Sequence, residues 1–98
     1  MGDFERTPYV PVYNGTNIAG AATTVVKAES GILHGIVINT RGAASTTTVY
    51  DNTAGSGTKL ATIDNTVSVL TLIYDCHFNT GLTVVTTGTL SDITVSFH

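Results

Sequence analysis

The chain has 98 residues, of which 42% are apolar and only 11% charged, with a net charge of -3. That length suits one domain with a core that needs no disulfide or metal staple. The charged share is well below the usual value of about 25%, which marks either a membrane protein or a surface largely covered by partners. A membrane-spanning helix is excluded, because no stretch approaches the ~20 apolar residues it requires; the most apolar run, Ile32 to Ile38, is interrupted by His34 and Gly35. Nucleic acid is an unsuitable partner, because phosphate binding needs clustered cations and Arg6, Lys27, Arg41 and Lys59 are scattered singly.

Residues 1–20 differ from the rest. Pro8 and Pro11 flank Tyr9 and Val10, and Asn14-Gly15 signals a turn. A proline donates nothing to a strand ladder, so this segment reads as an edge strand or an extended arm. Ile18 to Ala22 is small and flexible enough to serve as a hinge. The expected division is therefore an N-terminal arm over 1–20 and a β-domain over 21–98. A frayed end is the alternative to a docking arm, since termini are often disordered; three exposed aromatics, Phe4, Tyr9 and Tyr13, favour the arm, and with Val10 they form the candidate interface, since aromatics anchor interfaces.

The body predicts about seven short strands. β-branched residues are stiff at χ1 and pack well on a pleated surface, and the runs Thr23-Thr24-Val25-Val26, Thr46-Thr47-Thr48-Val49 and Thr83-Val84-Val85-Thr86 are of this kind. The strands fall at about 23–29, 32–40, 45–51, 59–63, 67–74, 82–87 and 92–98. In the second, strict alternation places Ile32, His34, Ile36 and Ile38 on one face and Leu33, Val37 and Asn39 on the other. Both faces are apolar enough for a central strand. Gly35 inside it suggests close approach by another backbone or a large side chain. Residues 41–44, 52–57, 64–66 and 79–81 read as turns. Six-residue strands with turns every 8–12 residues indicate an all-β fold: a single antiparallel β-sandwich or jelly-roll-like barrel. Its edges need charge, bulges or cover, and with so little charge available, cover by partner subunits is expected.

No arrangement of residues points to catalysis. Asp75 and His77 fall on one side of a strand, but a zinc site wants three or four ligands, and none is supplied unless His34 or His98 converges in space. His34 reads as a core histidine bonded to backbone. Cys76, the only cysteine, forms no intrachain disulfide and reads as a small buried hydrophobe. The hydroxyls lie in no G-x-S-x-G elbow. Gly55-Ser56-Gly57-Thr58 lacks the spacing and following helix of a phosphate loop and reads as a hairpin loop. A paired-carboxylate glycosidase has too little chain to build its cleft. The N-terminus has no apolar stretch of the signal-peptide kind. The expectation is a non-enzyme without metal or cofactor.

Gly31 to Thr40 (GILHGIVINT), Thr48 to Thr53 (TVYDNT), Gly57 to Asp64 (GTKLATID), Asn79 to Gly88 (NTGLTVVTTG) and Asp92 to Phe97 (DITVSF) together resemble small structural proteins of tailed bacteriophages. The resemblance covers residues 31–97 and is one of strands and turns, so it transfers no site residue. It implies a virion component, foremost a capsid decoration or cement protein that binds the major capsid protein as a homotrimer. Such a protein is assembled in the host cytoplasm and carried on the capsid surface. A head-fibre, tail or neck protein, or a carbohydrate- or receptor-binding module, is the alternative. The absence of Trp weighs against a glycan site.

Overall fold

The computed structural model describes residues 12–66, 71–88 and 91–98. Eight strands are formed: β1 (Asn14–Ala19), β2 (Ala22–Lys27), β3 (Gly31–Thr40), β4 (Thr46–Asp51), β5 (Thr58–Asp64), β6 (Thr71–Phe78), β7 (Leu82–Thr87) and β8 (Asp92–Phe97). They make two four-stranded sheets, sheet A in the order β1-β8-β3-β6 and sheet B in the order β2-β7-β4-β5. Every pairing is antiparallel. The pairs are nested: β1 with β8, β2 with β7, β3 with β6 and β4 with β5. A single long hairpin rolled into two layers has this connectivity, and it defines an eight-stranded jelly roll.

The seven expected strands are β2 to β8; the additional one is β1. It lies inside the span read as an arm, yet it pairs with β8 along its whole length, and Ile18 is buried in the core. The expected hinge is a tight corner. Gly20 adopts a left-handed φ of 75°, and its N–H donates to Ser91 O (2.7 Å), which turns the chain from sheet A into sheet B. The remainder of the proposed arm, 1–11, lies outside the described residues, as do 67–70, which had been assigned to the fifth strand.

The core lies between the sheets. Leu33, Ile36, Ile38, Ile93 and Val95 come from sheet A and Val49, Ile63, Leu82 and Val84 from sheet B, with Phe78 as the one fully buried aromatic among the described residues. Burying each such side chain stabilises the fold by about 1.5–3 kcal/mol.

Strict alternation fails in β3. Leu33, Ile36 and Ile38 point inward, so the parity changes between 33 and 36. The cause is a bulge at His34: Leu33 pairs with Phe97 and Gly35 with Ser96, leaving His34 as the extra residue. A second bulge follows at Asn39, between the pairs Ile38–Ile93 and Thr40–Asp92. Gly35 is required at the first. A Cβ there would stand 2.7 Å from Leu72 O of the neighbouring strand.

The two outer faces differ. That of sheet B is rich in threonine: Thr23 and Thr48 flank Val85, Thr48 faces Thr62, and Tyr50 faces Thr83. The loop 52–57 folds back over this face. Thr83 Oγ1 donates to Asn52 O (2.7 Å), Asn52 Nδ2 closes the loop onto Ser56 O (2.8 Å), and Gly55 lies against Val85 and Thr23. Thr83 is consequently fully buried although it points away from the core.

Candidate functional site

Sheet A carries two ordered polar clusters on its outer face, one at each bulge of β3. An extra residue in a strand re-aims its own side chain, and here the device is used twice.

At the first bulge, His34 Nδ1 lies 2.5 Å from Asp75 Oδ1 and donates to it. Asp75 belongs to β6, where Tyr74 and Asp75 together oppose His34, and its φ is 48°. A non-glycine residue in the left-handed region stores strain that the surrounding structure must hold. The Tyr13 ring stacks on the His34 imidazole, with centroids 4.0 Å apart and planes 13° from parallel. His98 meets Tyr13 edge-to-face, with ring centroids 6.3 Å apart.

At the second bulge, Asp92 Oδ1 accepts from Asn17 Nδ2 (2.7 Å) and Asn39 Nδ2 (2.9 Å). Asn39 Nδ2 also reaches Thr94 Oγ1 (2.9 Å), and Asn17 Nδ2 reaches Ile93 O (2.9 Å). Three strands are thereby cross-linked by one carboxylate. The amide of Asn39, then that of Asn17, holds the Asp92 carboxyl below its ordinary range. Between the clusters the face is low: Gly15, Ser96 and Gly35 are neighbours there, and Ile73 is the one large exposed side chain, at 60%. Its ionisable strand residues are carboxylates and histidines, with neither Lys nor Arg among them.

Of the four candidate interface residues, Phe4, Tyr9 and Val10 lie outside the described residues, and Tyr13 is half-buried against His34 rather than exposed. Val12 beside it is 77% exposed. His34 is not a core histidine; its bulge turns it outward, with 32% of its side chain exposed, and its partner is a carboxylate rather than backbone. Asp75 turns to His34 instead of forming a ligand pair with His77. No group of three or more His, Cys, Asp or Glu side chains among the described residues is placed to hold a metal ion. Cys76 is half-buried against the core, and burial pushes its thiol pKa up. Asn17, Asn39 and Asp92 were missed, because alternation puts Asn39 and His34 on opposite faces. Gly35 within a strand was the available sign of a bulge.

Elsewhere, Asp51 holds the turn between β6 and β7. Its carboxylate accepts from the N–H groups of Asn79 (2.9 Å), Thr80 (2.8 Å) and Gly81 (3.4 Å), and the Asn79 and Thr80 bonds lower its pKa most. A depression of about 240 Å³ is lined by Arg41, Gly42, Ala43 and Thr66.

No protein-family model matches the chain, and neither a curated protein nor a solved structure matches it.

Proposed function

We propose that this protein is a structural component of a tailed-phage particle, a decoration or cement protein that clamps neighbouring subunits of the major capsid protein at the head surface. The observation that carries this reading is the prearranged outer face of sheet A. Association costs the freedom of every side chain it immobilises. On this face Tyr13, His34, Asp75, Asn17, Asn39 and Asp92 are already held in place by one another. The strand residues of this face include carboxylates but neither Lys nor Arg, so a capsid surface offering cations complements it. Phe4, Tyr9 and Val10 would add apolar anchors from the segment that precedes Tyr13. The role is non-enzymatic and takes no cofactor; the protein joins the capsid in the host cytoplasm as a homo-oligomer.

A second reading, a carbohydrate- or receptor-binding module on another part of the virion, is favoured by the Asn17–Asp92–Asn39 cluster, because amides beside a carboxylate are suited to paired hydroxyls. Co-sedimentation with phage heads lacking the protein separates the two. His34→Ala with Asn39→Ala should weaken head binding at least about ten-fold, the equivalent of one good interaction. Thr48→Ser on sheet B should bind as the parent does, and removal of residues 1–11, which leaves β1 intact, should weaken binding further. Retention of a glycan column with no head binding establishes the second reading, and equal head binding by all variants removes the first.

A further inference from the structure

Each sheet has two edges, and three of the four edge strands are protected. A strand edge is normally blunted by charge or by a bulge, since unpaired N–H and C=O groups invite another strand. β2 ends in Lys27 and shifts register between Val25 and Lys27. β5 carries Lys59 and Asp64 and bulges where Val49 pairs with Ala61 and Tyr50 with Lys59. β6 carries Asp75 and His77, with its bulge opposite His34. β1 has neither device. Its six residues, Asn14 to Ala19, contain no charge and no proline, and they keep unbroken register with β8. Among the described residues no strand lies beyond it.

We propose that β1 is a strand-addition edge whose occupant is β1 of a second copy, paired antiparallel about a two-fold axis at Thr16. Antiparallel self-pairing sets like side chains against each other near the axis, which is repulsive for charged strands. β1 is the one edge strand with no charge at any position, so no choice of axis along it opposes like charges. With the axis at Thr16, Asn14 faces Ile18 of the copy, Gly15 faces Asn17, and Val12 faces Gly20. Val12 is otherwise 77% exposed, and the Gly20 site is open, with nothing within 4 Å of where a Cβ would stand. The register thus covers the exposed valine and makes one eight-stranded sheet from two copies of sheet A. Such an isologous contact closes on itself and yields a dimer or an even multiple of it.

The inference concerns the protein alone in solution, so it stands or falls separately from head binding. Sedimentation equilibrium over a dilution series tests it. The parent should show a reversible dimer. Thr16→Lys, which opposes two cations at the axis, should raise the dissociation constant by roughly ten-fold or more. Ala19→Lys, at an exposed position that needs no repacking, should weaken the dimer as well, whereas Thr16→Val and the β6 substitution Ile73→Lys should leave it unchanged. A parent that stays monomeric at the highest concentration, a trimer, or a dimer insensitive to both lysines on β1 and lost with Ile73→Lys would overturn the proposal.

Discussion

The outer face of sheet A and the outer face of sheet B are built from the same kind of strand and treated in opposite ways. Sheet B presents threonine and valine, and its own loop, 52–57, lies across Thr23, Thr83 and Val85. Sheet A presents amides, carboxylates and stacked rings, and no described loop covers its clusters. The difference separates two uses of a polar face. Threonine packs under cover at modest desolvation cost once its hydroxyl is bonded, whereas a cross-linked set of long polar side chains keeps its geometry without cover. A strand signal in the sequence does not distinguish these; the side chains at the bulges do.

The sharpest way to break the contrast is through two glycines, one at each face. At Gly35 a Cβ meets a backbone carbonyl, Leu72 O, at 2.7 Å. Gly35→Ala should therefore destabilise the fold by about 2–3 kcal/mol, the upper range for overpacking, and should release the His34–Asp75 bond. At Gly55 a Cβ meets the end of a side chain, Val85 Cγ2, at 2.9 Å. Gly55→Ala should cost less than about 1 kcal/mol, because the valine can turn. Urea unfolding of the two variants measures the gap; equal losses would mean that the loop is as rigidly seated as the bulge.

Thr83→Val has a smaller effect, confined to sheet B. It removes the bond to Asn52 O and should cost about 1 kcal/mol. Amide exchange should quicken in residues 52–57 and remain slow in β3.

The smallest effect is in the acid response. The carboxyls of Asp92, Asp64 and Asp51 all have pKa values below their ordinary 3.8. Depressed carboxyls contribute stability that is present above about pH 3.8 and is lost as the pH falls through their folded values. Asp92→Asn should remove part of this acid limb by lowering stability modestly near neutrality while leaving it little altered at the acid end. A thermal-melting series from neutral pH down to pH 2 checks it, and an unchanged acid limb would assign the response to Asp51 and Asp64 alone.

The fold class was legible in the sequence because β-branched runs and turn residues act locally. The strands found as β2 to β8 lie within a few residues of their predicted places, apart from β6, which ends later and runs through Asp75, Cys76 and His77. β1 was hidden because Asn14, Gly15 and Asn17 favour turns, and the strand exists through its pairing with β8 rather than through propensity. The candidate site was hardly legible. One inserted residue at His34 reverses the sense of everything after it, and the alternation rule carries no record of which residue is extra. Tyr13 was recognised as an aromatic worth noting, but the stack on His34 depends on two segments brought together only by the sheet.

The nesting of the strand pairs also governs how the molecule is made. β1 is the first described strand to be synthesised, and its one partner, β8, is the last. Until residues 92–97 have left the ribosome, Asn14 to Ala19 have no ladder to join, and Ile18 has no core to enter. Closing so long a loop makes the final step slow. The growing chain must carry its least protected strand unpaired while residues 20–91 are made, and an uncharged segment in that state is safest when, as here, it is short and interrupted by Gly15.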